Sequence, residues 1–314
     1  METNTVNPFP STGLVLADGG LETWLLFQNG VDLPAFAAYP LVDTDEGRAL
    51  LLAYYRGFVD IAQQHGCGLQ LEAPTWRANP DWALTLGHER DMLARFISRS
   101  VELVASVKQE WSGEGACILG GVVGPRGDGY RLDGTMTVAQ AAAYHSFQIE
   151  HMAVAGAEVV SAQTLGYVEE AVGVAEAARA CGVPVALSFT LETDGRLPSS
   201  MALEDAIDAV DQATGGYPLH YMINCAHPAH FAAAIRPGPA WTERIGGLRA
   251  NASQLSHAEL DVMTELDDGD PEHLADQYVA LRERMPALKV LGGCCGTDHR
   301  HVAAIASAWR AAGG

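Results

Sequence analysis

Three cysteines in this sequence are placed where they can hold one metal ion. Cys225 lies in Ile223-Asn224-Cys225-Ala226-His227-Pro228, and Cys294 and Cys295 lie in Gly292-Gly293-Cys294-Cys295-Gly296-Thr297. Three thiolates suit zinc (Zn2+), and a catalytic zinc keeps its fourth position open. A substrate thiol bound there loses its proton, because the cation stabilises the thiolate, which is the reacting nucleophile. Three negative sulfurs make the ion a poor Lewis acid. The chemistry indicated is therefore activation of a thiol more than of water.

Adjacent residues on a regular strand point to opposite faces, so ideal strand geometry would not let Cys294 and Cys295 grip one ion. Gly292, Gly293 and Gly296 supply the backbone freedom that lets both sulfurs turn toward one point, with Cys225 as third ligand. Buried packing is the plain alternative for a Cys-Cys pair. Another is a non-catalytic zinc-binding protein in which His227 closes a Cys3His site. A zinc hydrolase is a third, and it calls for a metal shell rich in histidine or carboxylate.

These segments meet only if their strands end on one face. The hydrophobic pattern predicts strands at Leu14–Ala17, Gly68–Leu71, Cys117–Val123, Val159–Gln163, Val185–Phe189, Tyr221–Cys225, Ile245–Leu248 and Val290–Gly293. Helices are expected between them, among them Glu46–His65, a long stretch over Asp81–Trp111, Val138–Ala155, Val168–Ala180 and Met201–Ala213. Asp270 with Pro271 opens another, and His299–Ala311, capped by Thr297 or Asp298, is the last. Strands alternating with helices argue for a parallel sheet, and eight such units in 314 residues predict an α/β fold, a (β/α)8 TIM barrel. A doubly wound open sheet is the alternative, but no G-x-G-x-x-G follows the first strand. With no linker or repeat, residues 1–314 are expected to form a single domain. In a barrel, Cys225 and the Cys294-Cys295 pair close strands six and eight on the same face.

Composition narrows the class of partner. Lysine and arginine total 19 against 39 acidic residues, a net charge of −20, so nucleic acid is not an expected partner. No segment is apolar enough to span a bilayer, and the N-terminus lacks the pattern of a secretory signal. A cytoplasmic protein with reduced thiols and small-molecule partners is expected. Of the six cysteines, Cys67, Cys117 and Cys181 are read as small buried hydrophobes rather than disulfide partners.

Several of these elements together resemble the homocysteine S-methyltransferase family. They are Asp18-Gly19-Gly20 after the first strand, Asn224-Cys225 after the sixth, and Gly292-Gly293-Cys294-Cys295-Gly296 after the eighth. Gly120-Gly121-Val122-Val123-Gly124-Pro125 and Ser188-Phe189-Thr190 add to the likeness, which covers almost the whole chain. The resemblance implies a zinc barrel that methylates homocysteine to methionine from S-methylmethionine, S-adenosylmethionine, betaine or methylfolate, with Cys225, Cys294 and Cys295 as zinc ligands. It also implies that Asp18 and the Gly19-Gly20 backbone hold the polar end of the amino acid, with Asn224 among the substrate contacts.

One position departs from the family. Where the family carries a glutamate for the substrate's amino group, this chain has Gln163, and a neutral amide holds an ammonium more weakly. Glu72 stands at the end of the second strand, where the family more often has an uncharged residue. Either Glu72 has taken over part of the charge role, or the acceptor is another thiol or a selenol. A solvated barrel-mouth carboxylate is the simpler reading of Glu72. Trp24, Trp76 and Tyr130 are candidate π-faces for a sulfonium donor, with ordinary packing as the alternative. Arg126 could meet a carboxylate, and His227, His299 and His301 flank the cysteine segments.

Overall fold

Alternation within the strand segments dictates two environments. In Leu69-Gln70-Leu71-Glu72 and Val160-Ser161-Ala162-Gln163, one set of side chains is apolar and the other polar. A parallel strand buried on both faces can carry such a pattern only if the polar set finds its partners inside the protein. The computed structural model describes residues 6–132 and 134–313 and resolves this arrangement as a barrel. Eight strands, β1 (Val15–Leu16), β2 (Gly68–Ala73), β3 (Cys117–Val123), β4 (Val159–Leu165), β5 (Val185–Phe189), β6 (Tyr221–Asn224), β7 (Ile245–Ala250) and β8 (Val290–Gly293), run parallel in sequence order. The barrel closes where β1 pairs with β8, Val15 opposite Val290 and Leu16 opposite Leu291.

The apolar set, including Leu69, Leu71, Leu187, Ile223 and Leu248, packs outward against the helices in one large core. A second, small cluster of Val15, Ala17, Ile118, Val159 and Val290 fills the barrel around Phe9. Phe9 meets His220 edge-on, with ring centroids 5.0 Å apart. Gln70, Glu72, Ser161, Gln163, Ser188, Asn224 and Arg249 form the buried polar set. No helix among the described residues is long and apolar enough to cross a membrane.

The helices begin where capping chemistry allows. Thr137 and Gln140 form a reciprocal capping box ahead of Val138–Val154. Asp270 accepts from the N–H groups of Glu272 and His273, with Pro271 in the first turn of Pro271–Leu281. Asp298, not Thr297, caps His299–Ala311 by accepting from the Arg300 N–H.

Several expected boundaries differ. The long stretch over 81–111 is two helices, Pro80–Thr85 and Arg90–Gln109, broken at Gly87, whose φ of +73° is left-handed. The helix expected at Met201–Ala213 runs Leu203–Thr214. The first strand is shorter than expected, and β7 runs two residues further, to Ala250, which brings Arg249 into the barrel wall. The sequence pattern also missed a helical segment just after β1, Leu21–Thr23 continuing as a π-helical turn over Trp24–Gln28.

His220, at the closed end of the barrel, is buried, and its Nε2 has no hydrogen-bond partner among the described residues. Burial, with the charges of Lys289 and Arg244, lowers its pKa from 6.5 to about 3. The unfolded chain therefore takes up this proton first. Stability is unaffected above the ordinary histidine range and falls as pH drops toward about 3, by up to about 1.4 kcal/mol per pH unit. His220→Leu should flatten the loss of Tm between about pH 6.5 and pH 4. Parallel Tm curves for the two proteins would show that His220 is not responsible.

Candidate metal centre

Cys225 follows β6 directly, and its backbone is left-handed at φ 52°, an uncommon conformation for a side chain other than glycine. Local bonds hold it there. The Cys225 carbonyl accepts from Asn251 Nδ2 at 3.1 Å, from His257 Nε2 at 2.5 Å and from the Thr190 hydroxyl at 3.4 Å. Its N–H donates to the Arg249 carbonyl at 3.2 Å. The bent backbone carries the sulfur toward β8. There Cys294 donates its N–H to the Ala250 carbonyl at 2.8 Å, and its carbonyl accepts from Thr297. Gly296, at φ +81°, completes the turn that lets Cys294 and Cys295 face the same way.

The result is a cluster in which the three sulfurs lie within 4.8 Å of one another. Cys225 and Cys294 are joined as a disulfide across 69 residues of sequence, and Cys295 is a free thiol. The expectation of three reduced cysteines is met only at Cys295, because two sulfurs brought this close can bond to each other as well as share an ion. Among the described residues no histidine or carboxylate joins the cluster. His227, the expected fourth ligand of a closed site, instead accepts the Ala229 N–H through Nδ1 and caps the short helix Pro228–Phe231. His299 bonds the Tyr54 carbonyl, and His301 bonds Asp298 and the Asp268 carbonyl.

With the Cys225–Cys294 pair reduced, Cys225, Cys294 and Cys295 would offer three converging thiolates, a donor set that suits zinc. Burial, and then the charge of Glu22, pushes the Cys295 thiol up to about 11, while the Tyr130 hydroxyl opposes the shift. A thiolate here therefore calls for a cation beside it. The donor set fits zinc.

All three cysteines line a cavity of about 390 Å³, together with Asp18, Glu72, Gln163 and Arg249. Arg249, which the sequence reading missed, governs this floor. Its guanidinium is buried and bonds both Glu72 and Asp18, and its Nε donates to the Gly293 carbonyl at 3.2 Å. Burial alone would lower its pKa, but the two carboxylates outweigh that and hold it charged. Glu72 is not a solvated carboxylate. It also accepts from Gln70 at 2.9 Å and from Gln163 at 2.8 Å. Burial pushes the Asp18 and Glu72 carboxyls up even though Arg249 pulls them down, so one guanidinium does not fully compensate two carboxylates.

The other expected site residues divide. Asn224 spends its polar atoms on the protein. Its Oδ1 accepts from the Thr164 N–H at 2.8 Å and the Ser188 hydroxyl at 2.6 Å, and its Nδ2 reaches the Thr164 hydroxyl at 2.9 Å and the Cys294 sulfur at 3.9 Å. It positions the centre. Gly20 donates its N–H to the Thr297 carbonyl at 3.0 Å, so that group is not free to cradle a substrate carboxylate. A Cβ on Gly19 would come within 2.8 Å of the same carbonyl, so the glycines let the loops after β1 and β8 close together. Trp76 and Tyr130 line the cavity, with Tyr130 stacked on His257 at 3.9 Å, whereas Trp24 packs on Tyr54 and His299. Arg126 lies outside it, paired with Asp81 at 2.7 Å.

The profile of the family described as homocysteine S-methyltransferase matches residues 15–309. The chain is 26% identical over 309 residues to homocysteine S-methyltransferase of Escherichia coli (strain K12), covering 93% of this chain and 94% of that one. The solved structure of the homocysteine methyltransferase MmuM from Escherichia coli, in its metallated form, superposes with a TM-score of 0.72 at 24% identity, over 96% of this chain and 99% of that one. Its oxidised form has the same TM-score at 23% identity, over 96% and 99% of the two chains.

Removing the Arg249 charge would leave two buried carboxylates facing each other. Arg249→Met should destabilise the fold by about 3–5 kcal/mol at neutral pH, with part of that recovered in Arg249→Met/Glu72→Gln. Denaturant titration measures both; a single variant as stable as wild type would remove Arg249 from this role.

Proposed function

Because the chain belongs to the homocysteine S-methyltransferase family, and is therefore a methyltransferase, we propose that it moves a methyl group from a sulfonium donor, S-methylmethionine or S-adenosylmethionine, to the thiol of homocysteine, giving methionine, with zinc held by Cys225, Cys294 and Cys295. The observation that carries this reading is the convergence of three sulfurs on an acidic cavity. Bound there, the ion would supply stabilisation of the acceptor's thiolate near neutral pH.

This chain's own residues would do the rest. Asp18 and Glu72 exceed Arg249 by one negative charge, which suits the single ammonium of an amino-acid acceptor. Gln163, bonded to Glu72, presents its amide beside them. A different thiol or a selenol would use the same centre, but the excess charge favours an acceptor with an ammonium group. Above the floor, five more carboxylates line the cavity against the single guanidinium of Arg77, so it attracts a cationic donor and repels the polyanionic methylfolates. Trp76 and Tyr130 offer π-faces to the sulfonium. The acceptor sulfur bonds to the methyl carbon as the donor's carbon–sulfur bond breaks, and a neutral thioether leaves. Holding the two sulfur atoms in line across the methyl group supplies much of the acceleration. Small-molecule partners and a reducing cytoplasm fit such a centre.

Reduced, zinc-loaded protein should form methionine from homocysteine with S-methylmethionine or S-adenosylmethionine, detected by mass spectrometry. Metal-edge X-ray absorption should show an added sulfur neighbour when homocysteine is present. No stoichiometric zinc, or no methionine from any donor, would refute the reading. Glu72→Gln should raise KM for homocysteine about tenfold or more; an unchanged KM would release Glu72 from binding the ammonium.

A further inference from the structure

Two guanidinium groups line the cavity, and they are in opposite states. Arg249 is saturated by two carboxylates and a carbonyl. Arg77 is not. It lies in the loop beyond β2, four residues past Ala73, and so sits toward the mouth while Glu72 belongs to the floor. Its guanidinium is clamped between two indoles, 4.3 Å from the Trp76 ring and 4.1 Å from the Trp82 ring. Nη1 donates to the Gly127 carbonyl at 2.8 Å, and the buried Nε has no partner. Among the described residues no carboxylate lies within ion-pair distance of it. Asp128, the carboxylate whose charge acts on it most, makes no ion pair with it and has Oδ1 engaged by the N–H groups of Tyr130 and Arg131.

A guanidinium carries five N–H donors in a planar fork that matches a carboxylate. Here the fork is held by stacking, largely withdrawn from water, and left without a counter-ion in a cavity wall. Such an arrangement is pre-organised for an anionic group that arrives with the ligand. We propose that Arg77 binds the carboxylate of the methyl donor, so that the donor is a zwitterion carrying its sulfonium against Trp76 and its carboxylate on Arg77. This rests on the methyl-transfer reading and deepens it: the acidic cavity draws in the cation, and Arg77 selects among cations those that bear a carboxylate. The acceptor's head group is met on the floor by Asp18, Glu72 and Gln163, which leaves Arg77 to the molecule seated above.

The test is a binding measurement, independent of turnover. Intrinsic tryptophan fluorescence, with Trp76 and Trp82 as reporters, is followed as the whole protein is titrated with S-methylmethionine, its carboxyl methyl ester, or trimethylsulfonium. Wild type should bind S-methylmethionine at least tenfold tighter than the ester, and Arg77→Met should bind the two alike. Arg77→Lys, which keeps the charge without the fork, guards against a folding defect and should retain only part of the preference. Equal affinity of wild type for acid and ester, or an undiminished preference in both variants, would overturn the proposal. So would a weakening of homocysteine binding in Arg77→Met with donor binding unchanged. If S-methylmethionine binds as described but no methionine forms, the methyl-transfer reading fails while the Arg77 assignment stands.

Discussion

A guanidinium at the axis of a barrel must be matched by charge and hydrogen bonds, and Arg249 sets that requirement for the whole site. Its two carboxylate partners come from different strand ends, Asp18 after β1 and Glu72 on β2, while its own backbone carbonyl accepts the Cys225 N–H. One residue thus ties together the cavity floor and the segment that carries the first cysteine. A buried ion network adds little net stability compared with a well-packed apolar core, but it is costly to break and it fixes geometry. Here the geometry it fixes is that of the surfaces around the sulfurs.

The sulfur cluster depends on backbone strain as well as on charge. Thr164 and Cys225 both occupy left-handed conformations, at the ends of β4 and β6 and at φ 63° and 52°, which a β-branched residue and a cysteine adopt reluctantly. Asn224 reaches between them and accepts the Thr164 N–H. His257 and Asn251 hold the Cys225 carbonyl from the other side. The strain is spread over several hydrogen bonds, so the sulfur of Cys225 is aimed by the loops after β4, β6 and β7 together. That same aim brings it to Cys294 closely enough for a disulfide.

The cavity above the centre is asymmetric in charge. Its floor is internally compensated except for one negative charge, while its mouth combines carboxylates, two aromatic faces and the stacked cation Arg77. On the proposed reading, two ligands of different chemistry would be told apart by depth: a thiol with an ammonium below, a sulfonium with a carboxylate above. The division follows from which residues sit on strands and which on the loops beyond them.

The barrel, its strand order and the three metal-binding candidates were legible in the sequence, because each is written in local pattern. Alternating apolar residues mark strands, Pro271 and the cap Asp270 mark a helix start, and glycines frame the Cys294-Cys295 turn. The alternation Leu248-Arg249-Ala250-Asn251 also held the signal for Arg249, but ending the strand at Leu248 hid it. What only the tertiary structure decided is how the polar side chains pair. Asn224 has its polar atoms held by Thr164 and Ser188, Glu72 is buried against Arg249 rather than solvated, and Arg77 has no ion-pair partner among the described residues. Pairing depends on which strand ends are neighbours around the barrel and on the depth of each side chain below water. Both arise from contacts tens to hundreds of residues apart, such as the 177 between Glu72 and Arg249, which no local pattern encodes.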